Sequence, residues 1–127
     1  MKNRIIILFA SAVLAVTVCV FSNFYVTKSM KTLNRMRNEA IKHSEKHDFE
    51  KALSKTEEMI AFIEKRSTVL EMLTPHEDLH DLIIALNDAH ISLEIEDMDD
   101  YTKAISLFEE NINHLIAHES ISVNNVF

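Results

Sequence analysis

No glycine occurs anywhere in the 127-residue chain, and it holds a single proline. Average usage would place about nine glycines in a chain of this length. Glycine takes positive φ at no steric cost and lets a backbone approach a phosphate closely. Walker loops, dinucleotide-binding fingerprints and glycine-turned β-hairpins are therefore excluded. What is left is a small, mostly helical protein with room for one folded domain. The single cysteine, Cys19, excludes an internal disulfide framework.

The N-terminus is basic, with Lys2 and Arg4, and seventeen uncharged residues follow from Ile5 to Phe21. The uncharged run continues through Val26. About twenty helical residues cross a hydrocarbon core of about 30 Å, so a single membrane span over residues 5–26 is expected. Phe24 and Tyr25 fall where interfacial aromatics belong, and Lys28 and Lys31 follow at headgroup height. A cleaved signal peptide is the competing reading, but the run outlasts the small residues Ala12 and Ala15. Val18 is too bulky for the position before a lipid-modified Cys19. The expected division is an anchor over 1–27 and a helical domain over 28–127.

Two signals compete over orientation. Lys2 and Arg4 favour a cytoplasmic N-terminus, whereas Lys28, Lys31, Arg35 and Arg37 lie just beyond the span and outnumber them. A four-residue tail ahead of a hundred-residue domain fits looped insertion. The helical domain is therefore expected on the extracytoplasmic side of the cell membrane.

Beyond Lys28, apolar residues recur at helical spacing. Met30, Leu33, Ala40 and Ile41 form a weak first stripe. Phe49, Leu53, Ile60, Ile63, Leu70 and Leu73 form the second, and Leu79, Leu82, Ile83, Leu86 and Leu93 the third. Tyr101, Ile105, Phe108, Ile112, Leu115 and Ile116 form the fourth. Asp48 and Asp97 suit helix N-caps. Thr74-Pro75-His76-Glu77 reads as a capping box with Pro at the first helical position. Helices are expected over 28–46, 49–73, 75–96 and 98–118. Connections this short make neighbours antiparallel, giving an up-down four-helix bundle or two stacked hairpins.

An internal echo favours hairpins. Asp48-Phe49-Glu50-Lys51-Ala52-Leu53-Ser54 aligns with Asp100-Tyr101-Thr102-Lys103-Ala104-Ile105-Ser106. At this offset of 52 residues, Glu57, Glu58 and Ile60 match Glu109, Glu110 and Ile112. The phrase is similar to the second-helix start of tetratricopeptide hairpins, although the 34-residue period and the glycine of that repeat are missing. The expected fold class is all-α: an N-terminal transmembrane helix, then an antiparallel bundle of about four helices in two TPR-like hairpins.

His76-Glu77-Asp78-Leu79-His80 matches the H-E-x-x-H pattern of zinc hydrolases. It lies in the first turn after a proline and lacks a further histidine at metzincin spacing, so no catalytic residue and no enzyme activity are expected. His43/His47, His76/His80 and His114/His118 each have the i, i+4 spacing of a two-toothed metal clip. An antiparallel third and fourth helix would bring His76 and His80 toward His114 and His118. These four are the candidate ligands if a metal is bound, yet helical phase puts His80, His114 and His118 on flanks, and the histidines read as solvated boundary residues. No metal and no cofactor are expected. His90 shares the line of the third stripe and reads as a core-edge histidine with a hydrogen-bond partner.

Charge is segregated along the chain. Residues 28–66 carry ten Lys/Arg and seven Asp/Glu, whereas residues 67–127 carry one Lys and thirteen Asp/Glu. The basic stretch suits anionic headgroups or the acidic hairpin. Nucleic acid is not an expected partner, because the acidic portion would repel phosphate. The cluster Glu94, Glu96, Asp97, Asp99 and Asp100 lacks the glycine and ligand positions of an EF-hand loop and reads as helix capping.

With its basic tip, one span and acidic helical remainder, the chain resembles a family of uncharacterised single-pass membrane-anchored proteins, a domain of unknown function, of Gram-positive, often spore-forming bacteria. The resemblance rests on Asp48-Phe49-Glu50-Lys51-Ala52, on His76-Glu77-Asp78-Leu79 and on the closing Ser122-Val123-Asn124-Asn125-Val126-Phe127. It implies a fold and a membrane location, and no reaction. The function expected is a non-catalytic docking or scaffolding module of a membrane complex, with a protein partner. The alternative is an extracytoplasmic ligand- or metal-sensing domain built on the histidine pairs, with zinc hydrolysis its remotest form.

Overall fold

A computed structural model describes the backbone of residues 1–126 and the side chains of residues 1–119. Four helices follow one another: α1 (Lys2–Glu45), α2 (Phe49–Leu73), α3 (His76–Glu94) and α4 (Met98–Val126). No strand occurs among the described residues. The all-α bundle read from the sequence is what forms. Contacts run α1–α2, α2–α3, α3–α4 and α4–α1, so α4 closes back on α1. Of the two arrangements compatible with short connections, this ring is the up-down bundle.

α1 is one unbroken helix that passes residue 27 without a turn. Its first part is long and apolar enough to cross a membrane, and none of that apolar window is buried among the described residues. Its second part buries Val26, Met30, Leu33, Arg37, Ala40 and Ser44, whose alternating spacing of four and three keeps one face on the bundle axis. Val26, assigned to the span by hydropathy, is fully enclosed in the bundle core. α2 has the expected limits. On it, Ala52, Thr56, Met59, Ile63 and Leu70 point inward, whereas Phe49, Leu53, Ile60 and Leu73 from the expected stripe are half-buried in the seams. α4 runs past the expected end at 118 to Val126. The apolar stripe fades there, but no glycine or proline follows to stop the helix.

The corners after α1 and after α3 are built alike. Asp48 accepts from the Lys51 amide at 3.2 Å and Asp97 from the Asp100 amide at 3.1 Å, so both expected caps form. The residue before each cap is left-handed, His47 at φ 57° and Glu96 at φ 56°. Each corner carries the Schellman pair of bonds, His47 and Asp48 donating to Ser44 and His43, and Glu96 and Asp97 to Leu93 and Ser92. The two hairpins therefore share a register at an offset of 49 residues, the separation of Asp48 from Asp97. Buried Met30, Leu33, Arg37, Ala40 and Ser44 correspond to buried Leu79, Leu82, Leu86, Ala89 and Leu93. The sequence echo at 52 lies three residues off this register, nearly one turn of about 3.6 residues, so it still lays core on core.

The corner between α2 and α3 differs. Thr74 is extended, as a residue before proline should be, and its hydroxyl donates back to the Leu70 carbonyl at 2.6 Å. Thr74 thus closes α2 rather than capping α3, and the expected capping box does not form. Pro75, at ψ 132°, is itself the residue before the helix. Glu77 and Asp78 in the first turn of α3 favour its start through the helix dipole.

Candidate functional site

The candidate histidines gather at the end of the bundle where α1 projects, since the α2–α3 corner and the later turns of α4 meet there. They do not converge. His76 and His80 stack on each other with ring centroids 6.2 Å apart. His114 turns to Asp78, its Nε2 lying 3.6 Å from the carboxylate. All four are exposed. Among the described residues no three His, Cys, Asp or Glu side chains are placed to hold a metal ion. His90 takes the role its phase implies, with Nε2 3.3 Å from Glu57 on α2 and Nδ1 3.4 Å from Glu94.

The polar interior lies in the first hairpin. Arg37 is buried and meets Glu109 of α4 at 3.3 Å, Asn34 at 3.0 Å and Asn38 at 2.9 Å. Glu109 is half-exposed, so its charge keeps contact with water and the pair avoids the full desolvation penalty. Tyr101 packs beside this group, 2% exposed, and its hydroxyl has no hydrogen-bond partner among the described residues. The Ser44 hydroxyl on α1 donates to the Ile41 carbonyl at 2.8 Å. Burial holds the Tyr101 phenol above its ordinary pKa, with Ser44 and Arg37 pulling the other way. Glu119 is also buried, and that burial raises its pKa against the opposing influence of His118.

A surface feature was missed by the sequence reading. Ile84, Ile91 and Ile95 form a second apolar row along α3, offset from the core line of Leu79, Leu82, Leu86 and Leu93. All three are exposed, as is Leu107 across the seam on α4. Between Ile91, Ile95 and Leu107 lies a shallow groove of about 390 Å³, bordered by Asp88, Asp100 and Lys103. Spacings of seven and four residues put the three isoleucines on one helical face, which was the signal available in the sequence.

The four helices from the level where α1 first packs coincide with a family match. The model described as Domain of unknown function (DUF4363) matches residues 20–126. The chain belongs to the DUF4363 family. That match takes in the α3–α4 groove, the Arg37 cluster and all four histidines of the DUF4363 domain. The closing residues 122–127, part of the sequence resemblance, lie outside the residues whose side chains are described. No curated protein and no solved structure is significantly similar to the chain.

Proposed function

We propose that the protein is a membrane-anchored, non-catalytic docking module. In this reading α1 crosses the cell membrane once and carries the bundle on the extracytoplasmic side. The outer α3–α4 groove then takes an amphipathic helix of a protein partner, with basic residues flanking its apolar face. The observation that carries this is the apolar row Ile84, Ile91 and Ile95 with Leu107, exposed within the most acidic part of the chain. Scattered surface apolar residues need no explanation, but a row along one face rimmed by charge fits a helix-binding groove. Asp88 and Asp100 supply the sign that a basic flank would complement.

Photo-crosslinking in the native membrane tests the reading. A benzophenone side chain at Ile91 is expected to give a discrete adduct that is lost when Leu107→Asp is added. The same probe at Lys65, exposed on α2, is expected to give none. Absence of an adduct at Ile91, or identical adducts from both positions, would overturn it.

A further inference from the structure

The geometry points to a second membrane contact: the base of the bundle, at the α2–α3 corner, is seated in the headgroup–acyl boundary of the membrane that α1 crosses. This rests on the reading of α1 as a span. Val26 is already wholly enclosed, so the uncharged residues Ile5–Tyr25, twenty-one in all, precede the enclosed part of α1. At about 1.5 Å each they cover about 32 Å, little more than a hydrocarbon core of about 30 Å. A span of that length leaves almost no spacer between the bilayer and the bundle. Counting about twenty residues from Ile5 puts the far hydrocarbon edge near Phe24.

The base of the bundle lies at that depth. Lys55 meets Glu39 at 2.9 Å across the antiparallel α1–α2 pair, and equal steps from there bring Met72 level with Ser22. The cleft at the base agrees, for Ser22, Met72, Leu73 and His118 line it together with Leu14 and Val18 of the apolar part of α1. Met72 is 78% exposed, more than any other large apolar side chain described from α2 onward. In water that exposure is unfavourable, whereas at the acyl boundary Met72 is covered by lipid, as is the exposed Phe24 on α1. One turn above, Lys28 holds its ammonium 5.7 Å from the Phe24 ring. Neither Lys28 nor Lys31 has a carboxylate within ion-pair distance among the described residues, and both stand at headgroup height. Exposed Glu71 and Glu77 at the same end limit the contact to the interface and keep the corner out of the hydrocarbon.

Depth measurement on the full chain decides this. In a Cys19→Ser background, spin labels are placed singly through Met72→Cys, Leu14→Cys and Ile95→Cys, the last on an exposed residue at the opposite end. The labelled proteins go into nanodiscs of phosphatidylglycerol and phosphatidylethanolamine. Collision with oxygen is compared with collision with a water-soluble nickel chelate. The label at 72 is expected to favour oxygen, as the label at 14 does, while that at 95 favours nickel. A label at 72 that matches 95 while 14 stays lipid-exposed overturns the seated base alone. A label at 14 in water overturns the span, and the seated base with it.

Discussion

A chain without glycine nevertheless turns two corners through the left-handed region, and this can be exploited. His47 and Glu96 sit at φ 57° and 56° at the ends of α1 and α3. A residue with a Cβ holds that conformation at a cost of about 1–2 kcal/mol. Glycine removes the clash but gives the unfolded chain extra freedom, which returns about 0.5–1 kcal/mol. Glu96→Gly should therefore stabilise the bundle by about 0.5–1 kcal/mol, and His47→Gly by slightly less. His47 has a neighbour to lose, the Phe49 ring at 6.1 Å. The two corners share no partner, so the effects should add to about 1–2 kcal/mol. For a domain near 100 residues that is a rise in Tm of about 4–8 °C. Thermal unfolding of the full chain in detergent, followed by circular dichroism at the helix band, measures it. Lys65→Gly, within α2 where φ is negative, should do the opposite and cost about 1 kcal/mol. A fall in Tm for Glu96→Gly comparable to that of Lys65→Gly would refute the corner geometry.

Two further substitutions probe the interior. Tyr101→Phe removes a buried hydroxyl with no partner among the described residues, a group whose burial costs about 1–3 kcal/mol, and should raise stability by about 1 kcal/mol in urea titrations. It should also remove a loss of stability above about pH 10: with the folded phenol raised by burial, the unfolded chain ionises first and gains from each rise in pH. A destabilised Tyr101→Phe protein would mean that the hydroxyl is satisfied. Glu119→Gln tests the other buried acid, whose pKa burial raises although His118 opposes it. The stability that Glu119 contributes is complete below its unfolded value and is lost as pH rises through its folded one. The Gln variant should thus exceed the wild type at about pH 8 and lose that advantage toward about pH 5. A gap that does not change between the two pH values would show that the carboxylate is not destabilised by burial.

Local signals were read well, and signals that depend on neighbours were not. Asp48 and Asp97 announce helix starts because an aspartate cap acts within three residues, and both caps form as expected. Thr74 carried an equally local signal and misled, because its hydroxyl had a competing acceptor in Leu70 at the end of α2. Which acceptor wins depends on the extended path that Pro75 imposes. The 52-residue echo found the duplicated hairpin but missed its register, since helices three residues out of phase still bury nearly the same face. The closing contact of α4 on α1 was signalled only by the basic stretch facing an acidic hairpin, which did not single out Arg37 and Glu109. The histidine pairs show the limit most clearly. Spacing put His76 beside His80, but whether those two meet His114 depended on Asp78, which holds His114 instead. The exposed isoleucine row on α3 was hidden by the stronger core stripe beside it.

The two hairpins share a frame and differ in what fills it. Buried Arg37, Ser44 and Thr56 in the first stand where Leu86, Leu93 and Ile105 stand in the second. Ser44 and Thr56 bond within their own helices, to Ile41 and Ala52. Arg37 cannot be satisfied so locally, and it draws Glu109 from α4. A pair of first hairpins would bury two arginines without a carboxylate at that position, and a pair of second hairpins would bring two acidic faces together. Only the unlike pair satisfies the polar group, and a difference of this kind selects partners by penalising the wrong ones. The same asymmetry that directs the chain to close on itself leaves surplus acid on α3 and α4. The groove between Ile91 and Leu107 therefore presents apolar surface in a negative field, and the closed bundle has no free cationic hairpin left to cover it.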